Sequence, residues 1–136
     1  MNKTYRAELS LLSEIAKDIE NFCNENSVSS ADLYAINLVV DELFTNSVMY
    51  GYKGNTLGCV KVALSCNKDG VKIVLSDSAP KFNPLAEVVE PDFNSNVDER
   101  KIGGLGVFFA RKQMDEISYE FKDSHNVITM FRKFSK

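Results

Sequence analysis

Apolar side chains recur along the chain at two different periods. Leu11, Leu12, Ile15, Ile19 and Phe22 follow helical spacing, with Glu14, Lys17, Asp18 and Glu20 on the other face. A helix with one buried stripe has this pattern. Ser10 or Ser13 is its candidate N-cap, and Asn24-Glu25-Asn26-Ser27 its stop. A second stripe, Leu33, Ile36, Val40, Leu43, Phe44 and Val48, predicts a helix running to about Tyr50. Ser29 or Ser30 would cap it, Asp32 lies in its first turn, and Gly51 and Gly54 end it.

The remaining segments read as strands. Residues 3–8 predict a short edge strand. Val60, Val62, Leu64 and Cys66 alternate, as do Val71, Ile73 and Leu75, around the hairpin loop Asn67-Lys68-Asp69-Gly70. The second of these strands ends at Asp77. Ile117, Tyr119 and Phe121 line another strand and Val127 to Phe134 the last, with Lys122 to Asn126 as the turn between them. Residues 78–102 hold all three prolines and little periodicity, the character of a functional loop. Gly103-Gly104-Leu105-Gly106 then opens a third helix carrying Val107, Phe108, Ala110 and Met114. Hairpins with grouped helices predict an α+β fold. It is a two-layer α/β sandwich, with helices on one face of a mixed, mostly antiparallel sheet. One domain would span residues 1–136.

Composition narrows the function. The hydrophobic fraction is 44% and the charged fraction 26%, as in ordinary globular chains. The formal net charge of −3 argues against a nucleic-acid partner, which needs a basic face. No apolar run is long enough to span a membrane, and the N-terminus lacks the features of a signal peptide, so a cytoplasmic location is expected. The odd cysteine count (Cys23, Cys59 and Cys66) and the absence of Cys-x-x-Cys favour free thiols. His125 is the only histidine and falls in a polar turn.

Three stretches carry candidate chemistry. Glu42 and Asn46 lie one helical turn apart on the second helix, so they project from one face. A carboxylate there can take a proton, and an amide oxygen is a hard ligand suited to Mg²⁺. The competing reading is a solvated polar pair, yet Leu43, Phe44 and Val48 place it at the core margin. Asp77, at a strand end before the small residues Ser78 and Ala79, suits acceptance of hydrogen bonds from a planar amine such as the adenine 6-amino group. An Asx-type turn is the rival there. Gly103, Gly104 and Gly106 at a helix start, after Arg100 and Lys101, suit a phosphate-covering lid over about 78–106, or a plain hinge. No Gly-Lys-Ser/Thr sequence occurs, so the stretch is not a P-loop.

In order and spacing these stretches resemble the GHKL ATPase superfamily, and within it the RsbW-like anti-sigma-factor serine/threonine kinases. Asp41-Glu42-Leu43-Phe44-Thr45-Asn46 resembles the N-box, and Asp77-Ser78-Ala79 stands where the family has Asp-x-Gly. Phe82-Asn83-Pro84-Leu85, Ile102-Gly103-Gly104-Leu105-Gly106 and Met114-Asp115-Glu116 match later boxes. The resemblance implies a Bergerat-type ATP-binding fold. In it Asn46 holds Mg²⁺, Glu42 orients or deprotonates the attacking hydroxyl and Asp77, next to Ala79, reads adenine. Arg100, Gly103, Gly104, Leu105 and Gly106 would meet the phosphates. It also implies a STAS-domain antagonist or a sigma factor as partner, and a homodimer through the sheet side, with Lys3 to Glu8 as an edge. Ala79 departs from the usual glycine and disfavours a positive φ there. An ATP-binding module that sequesters a partner without phosphoryl transfer is the alternative. The catalytic half of a histidine kinase is a third reading, disfavoured because no acceptor histidine precedes the N-box.

Overall fold

The computed structural model describes residues 1–83 and 110–135. In chain order it contains β1 (Asn2–Arg6), a 3₁₀ turn (Leu9–Leu11), α1 (Leu12–Glu25) and α2 (Ser30–Asn46). A π turn (Ser47–Gly51), β2 (Cys59–Cys66), β3 (Gly70–Asp77), β4 (Glu116–Lys122) and β5 (His125–Lys133) follow. The strands form one five-stranded sheet in the order β1-β2-β3-β5-β4. A mixed, mostly antiparallel sheet was expected, and every pairing among the described strands is antiparallel.

The alternation read from the sequence sets the layers. Val60, Val62 and Leu64 on β2, with Val71, Ile73 and Leu75 on β3, point into one cluster. Ile15, Ile19 and Phe22 of α1 and Ile36, Val39, Val40, Leu43 and Phe44 of α2 join it, so both helices cover the same sheet face. Tyr5 pins the edge strand to this layer. Its ring meets Phe44 edge-on, with centroids 6.5 Å apart, and its hydroxyl donates to Asp18 Oδ2 at 2.7 Å. Burial, then the Asp18 carboxylate, pushes the Tyr5 phenol well above its ordinary pKa.

Two helix ends differ from expectation. Neither Ser10 nor Ser13 caps α1; the chain enters through the 3₁₀ turn, and the N-cap position is Leu11, which makes no side-chain cap bond. The tight turn replaces a side-chain cap by joining the Leu11 N–H to the Glu8 carbonyl at 3.1 Å. α2 stops at Asn46 and continues to Gly51 as a π turn, with the Tyr52 N–H bonded to the Ser47 carbonyl at 2.8 Å. Ser29 caps α2 as expected, accepting from the Asp32 N–H at 3.2 Å.

The β4–β5 turn is shorter than predicted. Lys122 and His125 already pair across the strands, leaving only Asp123 and Ser124 in the turn, with φ 52° and 62°. Two left-handed residues are what a two-residue hairpin needs to match strand twist. His125 and Asn126 therefore belong to β5 and not to the turn. The β2–β3 loop follows the prediction, with Asn67 Oδ1 accepting from the Asp69 and Gly70 N–H groups at 2.8 and 3.0 Å.

Candidate functional site

The site lies where the C-terminal end of α2 meets the end of β3. Leu43, Asn46, Ser47, Gly51, Asp77, Phe82 and Asn126 line one pocket there. The π turn shapes this wall. It sets the Ser47 hydroxyl 2.8 Å from Asp77 Oδ2 and keeps Val48 in the core. π turns are rare in proteins and recur at functional sites.

Asp77 and Asn126 face each other across β3 and β5 as register partners, and both are buried. Asp77 Oδ1 accepts from the Ala79 N–H at 3.1 Å and from Asn126 Nδ2 at 2.9 Å. The first bond is the Asx-type turn considered from the sequence, so turn geometry and pocket lining coexist in one residue. Ala79 is buried, and its φ is not among the positive values of the described chain. The conformation that would demand glycine is not used at this position. A Cβ added to Gly51 would lie 3.3 Å from the Ala79 Cβ, so the two positions share a tight packing space.

Tyr52 braces the same loop from the other side. Its hydroxyl donates to the Cys59 carbonyl at 2.6 Å and accepts from the Ser78 N–H at 2.8 Å. Its ring takes the space that a side chain at Gly58 would need. Ser47, Tyr52 and Asn126 were assigned no role from the sequence. Asn126 was hidden by the predicted turn, and Ser47 and Tyr52 carry no motif of their own.

Asn46 and Glu42 behave differently from solvated polar residues. Asn46 is 7% exposed, and its Nδ2 has no hydrogen-bond partner among the described residues. Such a group costs about 1–3 kcal/mol unless a ligand or water meets it. A half-turn of the amide presents Oδ1 at the same place, so the position suits either a donor or a cation ligand. Glu42 is half-buried, and burial, then the Asp41 charge, raises its pKa above the ordinary glutamate value. Asn46 and Asp77 thus line one pocket, whose lining does not include Glu42. Arg100, Gly103, Gly104, Leu105 and Gly106 lie outside the described residues.

Beyond the site, Met114 enters the core, and Asp115 Oδ2 accepts from the Lys133 N–H at 2.7 Å. The Met-Asp-Glu stretch therefore fastens the segment entering β4 to the end of β5. Among the described residues no helix is long and apolar enough to cross a membrane.

A helix-borne Glu and Asn, a strand-end Asp and a helix-backed antiparallel sheet define a class. Residues 5–132 match the model of the histidine kinase-like ATPase domain, and the chain belongs to that family. Within it, the chain resembles RsbW. It is 31% identical over 109 residues to the serine-protein kinase RsbW of Staphylococcus aureus strain MSSA476, covering 77% of this chain and 68% of the relative.

Solved structures agree on the fold. The structure of the RsbU and RsbW domains of Rv1364c from Mycobacterium tuberculosis superposes with a TM-score of 0.67 at 14% identity. That match covers all of this chain, which spans about a third (32%) of that structure's length. A chain in the SiaB–SiaC complex from Pseudomonas aeruginosa superposes with a TM-score of 0.60 at 15% identity, covering 98% of this chain and 89% of that one.

Proposed function

We propose that the chain is a single-domain Mg·ATP-dependent serine/threonine protein kinase of the anti-sigma-factor type, acting on a hydroxyl of a STAS-type antagonist. The observation that carries this reading is the buried Nδ2 of Asn46, without a partner among the described residues, in the same pocket as the Asp77 carboxylate. The name of its RsbW relative supports the activity.

In this reading Asp77 accepts a hydrogen bond from the adenine amine, with the Ser47 hydroxyl holding its other side. Asn46 holds Mg²⁺ through its amide oxygen, and the metal supplies charge neutralisation for the phosphates. Glu42 takes the proton of the acceptor hydroxyl as that oxygen bonds to the γ-phosphorus and the bond to the ADP oxygen breaks. A raised pKa suits Glu42 to this step, since a base is most effective when its pKa approaches the working pH. The basic and glycine-rich stretch Arg100 to Gly106 meets the phosphates. The remaining features of the proposal are a cytoplasmic location, a sigma factor as a second partner and a homodimer. The rival reading is a module that binds ATP and sequesters a partner without transfer.

The test is incubation with γ-labelled ATP and candidate STAS-domain proteins. Transfer to a serine or threonine is expected. Glu42→Ala should reduce it by about 10²–10⁴-fold while Mg·ATP still raises Tm. Asn46→Ala should weaken Mg-dependent ATP binding by roughly tenfold or more. Tight ATP binding without transfer to any such acceptor would favour the sequestering module. No thermal shift with Mg·ATP would reject the site altogether.

A further inference from the structure

We infer that Asn126 is a positioning residue that fixes Asp77 in one hydrogen-bonding state and so sets which purines the site accepts. The inference rests on the ATP-site reading above and adds a residue that reading does not need.

The orientation of the Asn126 side chain is determined by its neighbours. Oδ1 accepts from the Phe82 N–H at 2.9 Å, a group that can only donate, and from the Tyr119 hydroxyl at 2.6 Å. Nδ2 must then face the other way, where every partner is an acceptor. Asp77 Oδ1 lies at 2.9 Å, the Ala79 carbonyl at 3.1 Å and the Pro80 carbonyl at 3.2 Å. A flipped amide would set Oδ1 against three oxygens and Nδ2 against the Phe82 N–H, leaving only the Tyr119 hydroxyl able to bond it. One buried amide thus ties together Asp77, the turn after it and Tyr119 on the edge strand.

The consequence appears when the acceptor positions of Asp77 are counted. An ionised carboxylate offers about four, two on each oxygen. Oδ1 is filled by the Ala79 N–H and Asn126 Nδ2, and Oδ2 holds the Ser47 hydroxyl. Among the described residues one acceptor position remains on Oδ2, in a residue that lines the pocket. A base that presents an amino donor there is satisfied. A base that presents a carbonyl sets oxygen against oxygen in a buried site, which is costly. Without Asn126, Oδ1 regains an acceptor position and the carboxylate loses a clamp. It can then turn, exchange its oxygens or recruit water, and discrimination at the amine is lost.

A purely structural role for Asn126 predicts something else. Loosening the turn would weaken every nucleotide in the same proportion and leave their ratio unchanged. The ratio is therefore the informative measurement.

The experiment measures affinities of the full chain for Mg·ATP and Mg·ITP by calorimetry. ITP differs from ATP at the base, where a carbonyl replaces the 6-amino donor. Wild-type protein should prefer ATP by about tenfold or more, the value of roughly one well-made polar contact. Asn126→Ala should cut that preference at least about fivefold, mostly by weakening ATP. Tyr119→Phe removes only the hydroxyl that holds Asn126 Oδ1, and should cut it about two- to threefold. This second variant decides the matter should Asn126→Ala fail to fold. An unchanged ATP-to-ITP ratio in the folded variants overturns the inference, even where both affinities fall. Wild-type binding of ATP and ITP alike overturns it too, while leaving an ATP site in place. Wild-type protein that binds neither nucleotide overturns the site reading, and this inference with it.

Discussion

At the scale of single residues, the candidate base is tuned by its sequence neighbour. Burial raises the Glu42 pKa first and Asp41 raises it further. A base works only when deprotonated, so transfer should fall as pH drops through that raised pKa. Asp41→Asn removes the second cause and leaves the first. The acidic limb of the rate profile should then move to lower pH, with the plateau little changed. A limb that stays in place would mean Glu42 is not the titrating group. The pair Glu42 and Asn46 was legible in the sequence because its spacing and core-like flanks could be read together. Its strongest mark, the Asn46 Nδ2 without a partner among the described residues, was not, because satisfaction depends on what β3 brings opposite.

At the scale of elements, period carried more information than polarity. β2 and β3 were legible because a one-sided core forces strict alternation at Val60, Val62, Leu64, Val71, Ile73 and Leu75. The start of β5 was not, because His125 and Asn126 are polar and read as a turn. Asn126 is nevertheless buried, its polar atoms satisfied by Asp77, Phe82 and Tyr119 from distant parts of the chain. A sequence pattern cannot register such partners. Gly70 gives an element-scale prediction. A Cβ there would overlap the Arg132 carbonyl oxygen and approach the Lys133 Cα to 2.9 Å, both backbone atoms of β5. Gly70→Ala must therefore spread β3 from β5 and should lower stability by about 2–4 kcal/mol in urea titrations. A loss under about 0.5 kcal/mol would show that the strands give way easily.

At the scale of the molecule, a polar knot joins segments far apart in sequence. Asp32, 1% exposed in the first turn of α2, accepts from Arg132 Nε at 2.9 Å and Ser135 Oγ at 2.6 Å through Oδ1. Its Oδ2 accepts from the Ser135 N–H and the Ser29 hydroxyl, each at 3.0 Å. Arg132 Nη1 also donates to the Gln113 carbonyl at 2.7 Å, at the end of the helical residues 110–113. Burial pushes the Asp32 pKa up, but the bonds from Ser135, Arg132 and Ser29 outweigh it and hold it at about 2. A carboxyl lowered on folding stabilises above its unfolded pKa, about 3.9. That contribution is lost as pH falls through the folded value. Stability should therefore drop between about pH 4 and pH 2 by on the order of 2 kcal/mol from this group. Asp32→Asn should be less stable at pH 7, and its acid denaturation should flatten in that window. An unchanged acid profile would exclude the knot as its cause.

The shared space between Gly51 and Ala79 has a consequence for how such sequences can change. One residue closes the helical wall of the pocket and the other follows Asp77, and their side-chain positions meet at 3.3 Å. Bulk gained at either position must be surrendered at the other. Descendants of this chain are then expected to drift at the two positions in concert, trading a methyl group back and forth while the outline of the cleft stays the same.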